Sequence, residues 1–149
     1  MLLRDYLKKA FQRQDLHNKV WGLWASTKVQ GILTKAEQNK LIDQLLYQQH
    51  HDGGWSLSSL GNWVRSDATA QETDSDGYAT GLVLHVLQIA GVPKGDVKIA
   101  KGLDWLKSNQ SPTGAWQGVS VNKKRDPASH SGKFMSDAAT AFAVLALSH

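Results

Sequence analysis

Residues 48–55 read QQHHDGGW, and His50, His51 and Asp52 are the most conspicuous metal-ligating residue types in the chain. Imidazole nitrogens beside a carboxylate would suit zinc. Adjacent histidines on one turn point apart, however, and no second cluster with ligand spacing follows. The chain has no Cys, which excludes thiolate ligation and disulfides alike. No metal or cofactor is expected. A second set of reactive groups lies in VNKKRDPASHSGKF, where Lys123, Lys124, Arg125 and Lys133 share a flexible stretch. Such a cluster matches phosphate oxygens, although a solvated loop is its ordinary reading. Asp74 and Asp76, in TDSDGY, offer two carboxylates close together. His85 sits in an apolar run and reads as a buried, satisfied histidine.

The elements that position these groups belong to one compact domain of 149 residues, 41% hydrophobic and 20% charged, an ordinary balance for a soluble globular protein. Net charge is +4, with lysines spread along the chain apart from the run at 123–125. That pattern is a solvated surface, and no nucleic-acid partner is expected. No stretch approaches the length of a transmembrane helix. The start, MLLRDYLKKAF, breaks its apolar residues with charges, unlike a signal peptide. A cytoplasmic location fits, as does a processed mature protein.

The organising signal is a repeat. Gln49, Gly53 and Trp55 recur 61 positions later as Gln110, Gly114 and Trp116. Upstream, Lys40, Ile42, Asp43 and Leu45 correspond to Lys101, Leu103, Asp104 and Leu106. Downstream, SDGYATGLVLHVL resembles SDAATAFAVLAL with one residue deleted after the Asp. Asp15, Asp76 and Asp137 share the same spacing. The chain thus divides into a partial unit at 1–34 and fuller ones at 35–95 and 96–149.

Each unit predicts two helices. The one before the Gln is amphipathic, with Leu41, Ile42, Leu45 and Leu46, or Val97, Ala100, Leu103 and Leu106, at helical spacing. The one after the Asp is apolar nearly all round, which requires burial on nearly all sides. This alternation predicts two concentric layers, amphipathic outside and apolar inside. Asp15, Asp76 and Asp137 are expected to cap the inner helices, and Gly91 with Pro93 to stop the one starting at Asp76. Connections of about 20 residues, 56–75 and 117–136, are expected to cover the helix ends.

KGLDWLKSNQSPTGAW resembles the QW motif of the squalene-hopene cyclase and oxidosqualene cyclase family, and LIDQLLYQQHHDGGW is a less complete copy. SDGYATGLVLHVLQIAGV is similar to the inner helix that follows such motifs in prenyltransferase and squalene-cyclase-like repeat proteins. The resemblance spans about residues 12–149. It implies an all-α fold, part of an α/α toroid, in which Gln49, Gly53, Trp55, Gln110, Gly114 and Trp116 staple one repeat to the next. A full ring needs more hairpins than about two and a half, so an open edge is expected, covered by self-association or by a missing N-terminal half.

The resemblance also frames the chemistry. Terpene cyclases of this family protonate an alkene with the middle Asp of a DxDD motif, and the nearest match is DSDG, with Gly77 in place of the last Asp. Asp76 and Asp74 are the candidate acids, although the recurrence of Asp76 suits a cap. Lys123, Lys124, Arg125 and Tyr78 are the candidate ligand contacts, the basic loop being matched to a prenyl diphosphate. The zinc ligands of the protein prenyltransferases are missing. The expected function is a repeat domain enclosing an isoprenoid or other apolar ligand, the alternative a non-catalytic interaction scaffold.

Overall fold

A computed structural model describes residues 3–149. Among these residues the chain is all-helical, without strands: α1 (Leu3–Phe11), α2 (Leu16–Lys28), α3 (Lys35–Tyr47), α4 (Gly77–Ile89), α5 (Val97–Ser108) and α6 (His130–Leu147), with a short 3-10 turn at Leu57–Leu60. No helix is long and apolar enough to cross a membrane.

α4 lies at the centre, packed against α2, α5 and α6. Every residue from Ala79 to Gln88 is buried, as its all-round apolar sequence requires. Its most extensive neighbour is α6. Gly81 makes their close approach possible, because a Cβ there would fall 2.5 Å from the Ala143 backbone nitrogen. α4 ends in a Schellman turn: Val92 N–H donates to Leu87 C=O and Gly91 N–H to Gln88 C=O, with Gly91 at φ +98°. Gly91 and Pro93 thus stop the helix as the sequence predicts.

α3 and α5 carry strong caps. Thr34 and Glu37 form a reciprocal capping box on α3, and the Asp96 carboxylate accepts from Lys98 and Ile99 N–H on α5. Of the three predicted Asp caps, one holds. Asp76 accepts from Ala79 N–H at 2.8 Å. Asp15 occupies the N-cap position of α2 but makes no side-chain cap bond. Asp137 is not a cap. Ser129 caps α6 by accepting from Gly132 N–H, so the helix begins seven residues before Asp137 and shortens the second connection. Ser and Asp compete on similar terms for this role. α6 also departs from all-round burial. Gly132, Ala139, Ala143 and Ala146 are buried, whereas Phe134, Ala141, Val144 and Leu145 are exposed.

Candidate functional site

Gln49, Gly53 and Trp55, and likewise Gln110, Gly114 and Trp116, form matched turns at the ends of α3 and α5. Gln49 Nε2 donates to Gly53 C=O at 2.8 Å, and Gln110 Nε2 to Gly114 C=O at 2.8 Å. Gly53 (φ +95°) and Gly114 (φ +84°) hold the left-handed conformation that closes each turn. Trp55 Nε1–H donates to Leu45 C=O at 2.8 Å, and Trp116 Nε1–H to Leu106 C=O at 2.9 Å. The indoles therefore serve carbonyls in the last helical turn, while the glutamines serve the turn itself. The main-chain N–H groups of Trp55 and Trp116 donate to Thr80 and Thr140 Oγ1, fastening each turn to α4 or α6.

His50 and Asp52 stiffen the first turn. Ser75 Oγ lies 3.1 Å from His50 Nδ1 and donates to Asp52 Oδ1 at 2.8 Å. Asp52 also accepts from Gly54 N–H and, at 3.0 Å, from Trp105 Nε1–H. Partial burial raises the Asp52 pKa, but these donors outweigh it and hold the carboxyl below the usual carboxylate range. Among the described residues no group of three or more His, Asp or Glu is placed to hold a metal ion.

Asp76 is only 5% exposed. Its Oδ1 accepts from Ala79 N–H and its Oδ2 from Leu57 N–H at 2.6 Å, joining the start of α4 to the 3-10 turn. Burial pushes its pKa up to about 6, against the opposing effect of the Ala79, Leu57 and Tyr78 N–H groups. Both carboxylate oxygens are thus committed to the backbone.

Asp74 and Asp76 line a polar cavity of about 450 Å³ together with Lys124 and Arg125. Lys123 is exposed and stands outside that wall. Tyr78 lines an adjacent cleft of about 450 Å³, with His17, Leu57, Trp63 and Phe134 giving it an apolar character. Gly118, Val119, Ser120 and Met135 wall both spaces. Of the residues expected from sequence, Asp74, Asp76, Lys124, Arg125 and Tyr78 therefore fall in two neighbouring compartments, one lined by charged residues and one mainly apolar, and Lys123 falls in neither.

Behind the cleft, aromatic rings from three helices interlock. Trp21 stacks on Trp24 at 5.5 Å, and Phe142 meets Trp21 and Tyr78 edge-on at 5.6 and 5.5 Å. Burial lowers the pKa of His17 and raises that of Tyr78. His85 is buried against Trp24, with ring centroids 5.1 Å apart, and its Nδ1 has no hydrogen-bond partner, contrary to the expectation of a satisfied histidine.

Arg65 carries no signal in the sequence, since it follows no periodicity. It is buried, and its guanidinium donates to the carbonyls of Ser120 and Ala70 and pairs with Glu72. Ser66 N–H donates to Asn122 C=O, Gln71 Nε2 to Val121 C=O, and Lys124 N–H to Asp67 Oδ2. The two long connections are thus bound to each other beside the cavity. Comparison with family models, curated proteins and solved structures finds no match to this chain.

Proposed function

We propose that this chain is a squalene-cyclase-like or prenyltransferase-like helical-repeat domain that binds an isoprenoid or other apolar ligand. The apolar body of the ligand enters the cleft lined by His17, Trp63 and Tyr78, and any anionic head group lies toward Lys124 and Arg125. One observation carries this reading: an apolar cleft and a cavity bearing basic side chains share the wall at residues 118–120. The commitment of both Asp76 oxygens to backbone N–H groups favours binding over alkene protonation.

Isothermal titration with farnesol and with farnesyl diphosphate tests it. Saturable binding of both is expected, weakened by Trp63→Ala. Salt, and the double change Lys124→Ala with Arg125→Ala, should weaken only the diphosphate. If neither compound binds, the reading fails. The exposed apolar side of α6 supports a second reading, a non-catalytic interaction scaffold.

A further inference from the structure

The apolar cleft contains one polar point whose hydrogen-bond direction is fixed by its neighbours. His17 and Tyr78, from the first turns of α2 and α4, line it together with Trp63. Burial lowers the His17 pKa, so the ring is neutral near pH 7 and carries one N–H. Asn18 Nδ2 donates to Gln14 Oε1 at 2.8 Å, which turns the acceptor Oδ1 of Asn18 toward His17 Nδ1 at 3.4 Å. The ring proton therefore sits on Nδ1, and Nε2 is left as an acceptor facing the Tyr78 hydroxyl at 3.2 Å. Proton affinities agree. A phenol is more acidic than an imidazole N–H and imidazole nitrogen more basic than phenol oxygen, so O–H···N is the stronger arrangement.

The donors of these three rings are thus all engaged. His17 Nδ1–H is held by Asn18, Tyr78 O–H by His17, and Trp63 Nε1–H by Leu57 C=O at 3.2 Å. What remains is an acceptor. Tyr78 is half-buried, and among the described residues its oxygen has no second partner. In apolar surroundings a ligand group that can only accept would leave both itself and this oxygen unpaired. A hydroxyl group would satisfy both.

We propose that the cleft selects a neutral apolar ligand carrying a hydroxyl group, an isoprenoid-type alcohol, and that the Tyr78 oxygen, held in place by His17, is the acceptor that recognises it. This selection rests on the ligand reading above, since it takes the apolar body to lie in the same cleft. A diphosphate, drawn toward Lys124 and Arg125, offers Tyr78 no such donor.

Isothermal titration with farnesol and with its methyl ether compares a donor with an acceptor on one carbon skeleton. The parent chain should bind the alcohol about fivefold more tightly, as one ordinary hydrogen bond allows. Tyr78→Phe should remove that preference by weakening the alcohol alone, with farnesyl diphosphate bound as before. Ser120→Ala and Asn122→Ala, at the other polar side chains of the cleft, should keep it. Ring nitrogen NMR shifts of His17 in the free, neutral state should show the proton on Nδ1. Equal affinity for alcohol and ether, a preference that survives Tyr78→Phe or is lost with Ser120→Ala or Asn122→Ala, or a ring proton on Nε2 would each overturn the proposal while farnesyl diphosphate still bound. Failure of alcohol, ether and diphosphate alike to bind the parent chain would sink the ligand reading, and the selection with it.

Discussion

The Tyr78 hydroxyl lies 3.2 Å from Nε2 of His17, and the two residues stand one repeat apart, 61 positions in sequence. Matching positions of α2 and α4 therefore meet at the apolar cleft, with Trp63 edge-on to His17 at 5.8 Å. Burial disfavours the imidazolium and lowers the His17 pKa. The folded chain then takes up this proton less readily than the unfolded chain, so His17 costs stability as pH falls below about 6.5. NMR titration of the His17 ring should show a midpoint below 6.5, and removing its cover with Trp63→Ala should move the midpoint upward.

Asp76 works in the opposite sense. Its folded pKa of about 6 lies above the 3.8 of a free side chain, so the native state binds the proton more tightly. The resulting stabilisation is fully present below the unfolded value and is lost as pH rises through about 6. Urea unfolding of the parent and of Asp76→Asn at several pH values should show the parent gaining on the variant as pH falls from 7 toward 4. Between pH 7 and 4 the change should be roughly 2 kcal/mol, since each tenfold difference in proton affinity between the folded and unfolded chain is worth about 1.4 kcal/mol and the unfolded carboxyl is itself partly protonated at pH 4. A pH-independent difference would contradict this account.

The paired turns make unequal predictions for like residues. Gln49 Nε2 reaches both Gly53 C=O and, at 2.7 Å, Lys98 C=O of the next unit, whereas the Gln110 amide reaches Gly114 C=O. Gln49→Ala should therefore destabilise more than Gln110→Ala, by roughly 1 kcal/mol for the additional bond. Thermal unfolding of the two variants side by side checks the order.

The approach of α4 to α6 leaves no room for a methyl group at Gly81. Gly81→Ala should cost about 1–3 kcal/mol through overpacking, despite its favourable helix propensity. Gly95→Ala, where nothing lies within 4 Å of the added carbon, should be close to neutral. Equal melting temperatures for the two variants would remove the close-packing argument.

The readable and unreadable parts of this chain divide along physical lines. The pattern of apolar residues around α4 dictates its burial, and the Gln, Gly and Trp spacing marks turns whose hydrogen bonds do recur 61 positions apart. The sequence misplaces the start of α6 because two competent capping residues, Ser129 and Asp137, lie on the same stretch, and sequence distance cannot rank them. The basic cluster is legible as residue types, yet only Lys124 and Arg125 face the polar cavity, since the bonds from Lys124 N–H to Asp67 and from Ser66 N–H to Asn122 C=O decide how that loop lies. Arg65 is invisible. Besides Glu72, its partners are carbonyls separated from it by up to 55 positions, and a carbonyl has no residue identity to recognise.

Because Arg65 grips both long connections, those segments should share one free energy of opening. Neither can detach without breaking the bonds that order the other, so amides along 65–72 and 120–124 should exchange as one cooperative unit in native-state hydrogen exchange. A ligand entering beside the shared wall would then quiet both stretches together, and a fluctuation in either would open the cleft and the polar cavity at the same moment.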